Sequence, residues 1–333
     1  MKYMKSIALI IPYIGRFKKD IVFWMRSVEN NPTIDFLLFT DVEVENPPEN
    51  LHIFKFSFEE LHALFQQNFD FKICLNKPYK FCDFRPSYGE VFAEYISGYD
   101  FWGYTDTDMV YGNLRKFVTD DLLDKYDHIF GRGHFSLYRN VKEVNREYRN
   151  VAIPTYKQVY TYDEGRAFDE YCGTSKHWFD NRSDAFFDAI YFDDIDCMEY
   201  SFHSQMRRNE YAGCKNFIFS YEKGTLYRIY EKDGKVHKDE TMYVHLQKRQ
   251  MIVNTSVSDQ FLIIPNSYEK YEEIKDTERL EQLGRRGSFY KQRYKLKWDI
   301  FKSKFYKAYL KFHPSEFGFP PLPENISQFY MEK

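Results

Sequence analysis

A chain of 333 residues, 43% hydrophobic and 29% charged, is long enough to bury a core and too apolar to stay disordered. Its net charge of −3 excludes the broad basic field of a nucleic-acid binder; five scattered cysteines with no CxxC pair exclude a disulfide framework and a cysteine zinc site, and fit a reducing cytosol. Aromatic residues reach 20%, a surplus that either fills core positions or offers ring faces to sugars.

The basic N-terminus leads into the apolar run Ile7–Ile11. That run is too short for a signal peptide or a membrane span, so it reads as a buried first strand closed by Pro12 and places the protein in the cytoplasm. A helix is expected over residues 20–31, with Ile21, Trp24, Met25 and Val28 at helical spacing and Asn30, Asn31 and Pro32 ending it. DFLLFTD (35–41) and LHIFKF (51–56) read as buried strands, and residues 56–69 as an amphipathic helix with Ser57 as N-cap. A further helix is expected over 87–99, followed by DFWGYTDTDM, an apolar strand running into acids.

Strands alternating with helices imply an α/β fold with a mostly parallel sheet and helices on both faces. HIFGRGHFSLYRN then reads as a strand and loop returning to the same crevice, residues 140–190 as mostly helical, and 216–247 as strands with a hairpin turn at Asp233-Gly234. From about residue 265 the chain is expected to be helical, basic and aromatic. The division is therefore 1–260 for the α/β domain and 261–333 for a helical extension.

In such sheets ligands collect at the carboxyl ends of the strands. Three of the predicted strands end on polar residues: Pro12-Tyr13, Thr40-Asp41 and Asp106-Thr107-Asp108. Two carboxylates one residue apart at the end of a buried strand are costly unless a cation neutralises them. Mg²⁺ or Mn²⁺ takes oxygen ligands and bridges carboxylate to phosphate, so Asp106 and Asp108 are the first metal-ligand candidates; Asp106 alternatively accepts from a ribose hydroxyl. Gly103 and Gly112 are expected to let the backbone bend around them. Just upstream, Lys80, Asp83 and Arg85 face the crevice or punctuate a helix start, and Arg85 has the fork geometry for a phosphate or a base. Tyr13 stacks on a base and Asp41 accepts from a base or ribose, unless both are turn residues. His134 lines the same pocket or sits in the core.

The segments IIPYIGRF, FLLFTD, KPYKFCDFRPSYGEVF, YDFWGYTDTDMVYGNLRKF, GHFSLYRN and YVHLQKRQM, in this order, resemble a family of bacterial proteins from surface-polysaccharide gene clusters, itself similar to GT-A-type glycosyltransferases. The resemblance spans roughly residues 5–255. It implies a GT-A-like (Rossmann-like) fold, and transfer of a hexose from a nucleotide-sugar, a UDP-sugar first, to a polysaccharide or lipid-linked oligosaccharide. It also implies His245 as third metal ligand beside Asp106 and Asp108, Lys248 and Arg249 neutralising the departing diphosphate, and a basic residue of the 80–85 segment reaching the donor. An acidic pair facing the acceptor, Asp169-Glu170, would hold the catalytic base. Asp163-Glu164 and the acids Asp193, Asp194 and Asp196 compete for that role. A nucleotidyltransferase is disfavoured because the loop after the first strand has a single glycine; the non-enzymatic alternative is an inactive carbohydrate-binding or scaffolding subunit.

In the extension, ten basic residues between Arg285 and Lys311 are interleaved with aromatics, with Trp298, Phe301 and Phe305 at helical spacing. That composition fits either an amphipathic helix on the anionic cytoplasmic face of the inner membrane or a helix packed on the domain.

Overall fold

In the computed structural model, the apolar runs of the N-terminal half become adjacent strands of one sheet. The structure describes residues 4–285 except 171–172, 188–190, 197–198, 204–210 and 248, together with Tyr294, Trp298 and Phe301. Lys248, Phe305 and most of the basic tail therefore lie outside the described residues. Tyr294, Trp298 and Phe301 are helical and exposed. Among the described residues no helix is long and apolar enough to cross a membrane.

Strands β1 (Ile7–Tyr13), β2 (Asp35–Thr40) and β3 (Leu51–Lys55) run parallel, and β4 (Phe101–Thr105) is parallel to β1 on its other side. Two antiparallel strands follow, β6 (His128–Arg132) and β7 (Phe135–Arg139), after the short β5 (Met109–Tyr111). With β8 (Ala185–Phe186) on the edge, the order is β3-β2-β1-β4-β7-β6-β8. The fold is thus mixed α/β, parallel in its first half and mixed beyond.

Period-two alternation explains why β1 and β2 are apolar throughout. Ala8, Ile10, Leu37 and Phe39 pack against Leu61 and Phe65 of α2 (Phe58–Gln66) and the helical turns from Pro78 to Ile96. Ile7, Leu9, Ile11, Phe36 and Leu38 pack on the opposite face against Trp24 and Val28 of α1 (Ile21–Glu29). Each strand is buried on both sides, the condition that erases polar alternation. The Ser57 cap forms as expected, as a capping box with Glu60.

A second sheet has the order β12-β11-β10-β15-β16-β14 and is built from β10 (Lys215–Glu222), β11 (Thr225–Lys232), β12 (Lys235–Glu240), β14 (Ile252–Val253), β15 (Gln260–Ile264) and β16 (Ser267–Lys270). Phe23 of α1 stacks on Tyr268 at 3.9 Å on one of its faces, while Leu280 and Leu283 of the helix Thr277–Gly284 pack on the other. Helix was expected from about residue 265, but β16 occupies 267–270 and the boundary drawn at 260 falls inside β15. Among the described residues of 140–190, expected to be mostly helical, the helices are short and joined by loops, and β8 adds a strand at Ala185–Phe186.

A third, small sheet ties the two together: β5, β13 (Tyr243–His245) and β9 (Asp193–Asp194), in the order β5-β13-β9. Gly103 has a different role from the one expected. It sits mid-strand, and a Cβ there would meet the Ser136 carbonyl at 2.2 Å, so the glycine permits close approach of β7 rather than a bend.

Among the described residues, one core histidine has a ring without hydrogen bonds. His128 is fully buried, stacked on Tyr138 at 4.2 Å, and neither ring nitrogen has a hydrogen-bond partner. Burial pushes its pKa down to about 3. The folded value lies below the unfolded one, so the unfolded chain binds more protons between about pH 6.5 and 3. Stability is therefore full above that window and falls as pH drops through it, by up to about 1.4 kcal/mol per pH unit from this group. Urea titrations from pH 6.5 to 4.5 are expected to give a shallower acid slope for His128→Phe, which keeps the stacked ring. Equal slopes would show that His128 is not the acid-sensitive group.

Candidate functional site

The strand order reverses between β1 and β4, because β2 and β3 extend to one side of β1 and β4 lies on the other. A crevice opens outside the carboxyl ends of strands at such a switch point. Here it has a volume of about 780 Å³, and Pro12, Tyr13, Arg85, Asp106, Asp108, His134, Asp169, Glu170 and His245 are among its lining residues.

Strand register brings the metal-ligand candidates together. β4 ends at Thr105 and β5 begins at Met109, leaving Asp106-Thr107-Asp108 as the link. β5 pairs antiparallel with β13, with Met109 opposite His245, and the Leu246 N–H donates to the Asp108 carbonyl at 2.9 Å. His245 is thereby set beside Asp108: its Nε2 is 3.3 Å from Asp108 Oδ1 and 3.9 Å from Asp106 Oδ2. One ligand atom from each of the three lies within 4.8 Å of the others. On its other side β13 pairs with β9, His245 opposite Asp194, and Nδ1 is 2.8 Å from Asp194 Oδ1. Gln247 donates to the same oxygen at 2.6 Å. A carboxylate on Nδ1 orients the ring so that Nε2 faces the two aspartates, as the outer partner of a metal-bound histidine does. Two carboxylates and one oriented imidazole fit Mn²⁺, and Mg²⁺ less well.

A hydrogen-bonded base holds the acids in place. The Tyr111 hydroxyl lies 2.7 Å from Thr105 Oγ1, donates to the Asp106 carbonyl at 3.2 Å and accepts from Trp24 Nε1 at 3.2 Å. Arg85 bridges two walls of the crevice: its guanidinium pairs with Asp106 and the Gly133 carbonyl and, at 3.0 Å, with Asp169. Its face lies 5.2 Å from the Tyr104 ring centroid.

The model of one protein family matches residues 9–272, most of the chain and the whole of this crevice. The chain belongs to DUF6625, a family of unknown function. No curated protein matches it.

The remaining candidates of this DUF6625 chain fall into two groups. Glu170 lines the crevice half-buried, with Oε1 accepting from the Gly133 N–H at 3.0 Å. Asp169 is only 2% exposed and tied to Arg85. Tyr13 stacks on Phe17 at 4.5 Å at the mouth. Asp41 is exposed outside the crevice lining, where it accepts from the Gly15 N–H at 3.0 Å.

Lys80 is fully buried away from the lining. Its ammonium donates to Asp83 at 2.7 Å and to the carbonyls of Val159 and Glu164 at 3.1 and 2.6 Å. Asp83 reaches the crevice wall but also accepts from the N–H groups of Arg166 and Phe168. The pair organises the 159–168 loop, and the donor-facing position expected for Lys80 is not where the fold puts it. Arg249 is corrected likewise. It is 1% exposed, absent from the lining, and hydrogen-bonded to the carbonyls of Asp196, Glu199 and Tyr200 and to Asn266. Sequence reasoning missed Arg132 and Gln247 in the lining and gave Asp194 only as a competing base. A Gly-flanked arginine at a strand end was the one available signal for the first.

Charge in the site is sharply divided. Burial opposes a charged His245, but Asp108 and Asp194 outweigh it and hold the ring well above the ordinary imidazole value. Against its own burial, Asp108 is pulled down to about 2 by His245. Burial raises Asp106 despite Arg85, with Asp108 adding to the rise. It raises Asp169 and Glu170 as well, against Arg85 in the first and the Gly133 N–H in the second. Two anionic carboxylates, Asp108 and Asp194, flank a cationic ring, and a metal ion bound here would take the place of the Nε2 proton that faces Asp106 and Asp108.

Proposed function

We propose that this chain is a metal-dependent glycosyltransferase that moves a hexose from a nucleotide-sugar, a UDP-sugar first, to a glycan or lipid-linked oligosaccharide. The observation that carries the reading is the convergence of Asp106, Asp108 and His245 at the switch-point end of a crevice of about 780 Å³. That volume lies within the range of small-molecule sites, roughly 300–1,000 Å³. The sequence resemblance to GT-A-type enzymes points the same way.

Asp108 and His245 would hold the cation, with Asp106 sharing it through the oxygen not engaged by Arg85. The bound cation supplies charge neutralisation to the donor diphosphate. Arg85 fixes Asp106 and carries its own positive charge into the same space, where preorganised charge counts most. Pro12 and Tyr13 form the wall for the nucleotide. Glu170 is the group placed to take a proton from an acceptor hydroxyl, and Asp169 holds Arg85. The basic, aromatic stretch beyond residue 285, with Tyr294, Trp298 and Phe301 exposed, would bring the enzyme to the cytoplasmic face of the inner membrane.

Calorimetric titration with UDP and a panel of UDP- and GDP-sugars, with and without Mn²⁺, tests the reading. Nucleotide binding that requires the metal is expected. If no nucleotide binds under any metal condition, the transferase reading fails and a carbohydrate-binding scaffold takes its place.

A further inference from the structure

His245 belongs to a second group of ligand atoms, which the proposed transferase does not use. His134, Asp194 and His245, all buried, also bring one ligand atom each to within 4.8 Å of one another. His134 comes from the β6–β7 turn and lies flat against His245, ring centroids 4.3 Å apart at 23°. Its Nε2 is 3.1 Å from the Tyr243 hydroxyl. All three residues line the crevice, so an ion that reaches Asp108 reaches them too.

The two groups differ in chemistry. The outer one, Asp106, Asp108 and His245, is oxygen-rich and suits Mn²⁺ better than Mg²⁺. Two imidazoles and one carboxylate form an inner set that suits Zn²⁺, a borderline ion satisfied by three protein ligands and an open position. His245 stands between them. A neutral imidazole has one N–H and one lone pair. When Nε2 serves an outer ion, the proton stays on Nδ1 and is donated to Asp194, 2.8 Å away. When Nδ1 serves an inner ion, the proton sits on Nε2 and faces Asp108 at 3.3 Å. As a neutral ligand the ring serves one ion at a time.

We propose that His134, Asp194 and His245 form an inner Zn²⁺ site that competes with the outer divalent cation for the single lone pair of His245. Zn²⁺ then antagonises the outer ion without sharing its carboxylates. This rests on the reading of the outer group as a cation site and not on any transferase activity.

The test titrates the full chain with MnCl₂, following free Mn²⁺ by electron paramagnetic resonance, and separately with ZnCl₂ by calorimetry. The variants are His134→Phe, which keeps the stacked ring and removes both nitrogens, and the double variant Asp106→Asn/Asp108→Asn. Wild type is expected to bind both ions and to release Mn²⁺ as Zn²⁺ is added. His134→Phe is expected to lose at least about 10-fold in Zn²⁺ affinity while Mn²⁺ affinity holds, and the double variant to show the reverse. Thermal melts confirm that each variant is folded, and His134→Gln stands in should the phenylalanine variant fail to fold. The proposal is overturned if Zn²⁺ affinity follows the aspartates and not His134, or if Zn²⁺ binds with Mn²⁺ still in place. Failure of wild type to bind Mn²⁺ sinks the outer site and the competition with it, while loss of Zn²⁺ binding in His134→Phe would still identify the inner site.

Discussion

Asp108→Ala is expected to remove metal-dependent nucleotide binding altogether while leaving the chain folded. Asp108 is the carboxylate that stays charged, pulled down to about 2 by His245, and it offers Oδ1 3.3 Å from the Nε2 of that ring. Losing an outer partner of a metal ligand typically costs 10–100-fold in metal affinity, so loss of a direct ligand is expected to cost more than about 100-fold. Asp194→Asn sets the scale, because Asp194 reaches the outer ion only through His245 and its loss belongs in the 10–100-fold range for Mn²⁺. The strands around Asp108 are held by backbone hydrogen bonds, including Leu246 N–H to the Asp108 carbonyl, which the alanine variant keeps. Mn²⁺ titration of the two variants against wild type reads the difference. Equal Mn²⁺ affinity in wild type and Asp108→Ala would remove this carboxylate from the metal site.

The parts of this arrangement that were legible in the sequence are those written as local chemistry. β1, β2 and β4 showed as continuous apolar runs because helices cover the first two on both faces and leave no polar alternation. Asp106 and Asp108 stood out because two acids at the end of such a run have no local compensation, and the fold does place them at the crevice. What could not be read was register and reach. Asp194 is 51 residues from His245, and only the parallel pairing of β9 with β13 sets them side by side.

Lys80 and Arg249 looked like free cations because a sequence does not say where a long side chain's donors go. Both ended on carbonyls of distant loops, where a buried charge finds several acceptors at once. The strand at Ser267–Lys270 is four residues long and too short to impose a period on the basic, aromatic stretch that follows.

Two adjacent acids, Asp169 and Glu170, are separated by the structure into different roles, and kinetics should separate them too. Gly133 organises the difference. Its carbonyl accepts from Arg85, which binds Asp169 and Asp106, while its N–H donates to Glu170 Oε1 at 3.0 Å. A Cβ at Gly133 would meet that oxygen at 2.3 Å, so the glycine is what allows the carboxylate to lie there. Asp169 is sealed in and bound to Arg85; Glu170 is half-buried and faces the crevice.

Glu170→Gln is therefore expected to lower kcat by about 10²–10⁴-fold, the usual worth of a general base, with donor and Mn²⁺ affinity unchanged. The sign of the pH dependence follows from the same carboxyl. Burial raises its pKa, and only the ionised form accepts a proton, so activity falls as pH drops through that raised value. The acidic limb should vanish in Glu170→Gln. Gly133→Ala should reproduce the loss of rate by displacing the same side chain. Asp169→Asn instead leaves Arg85 short of a buried partner, and removing one member of such a pair costs about 3–5 kcal/mol of stability. Its effect belongs in denaturant titrations and donor KM, not in the shape of the pH profile. The opposite pattern, with Glu170→Gln active and Asp169→Asn losing both rate and acidic limb, would move the base to Asp169 and leave Glu170 as a brace for the Gly133 turn.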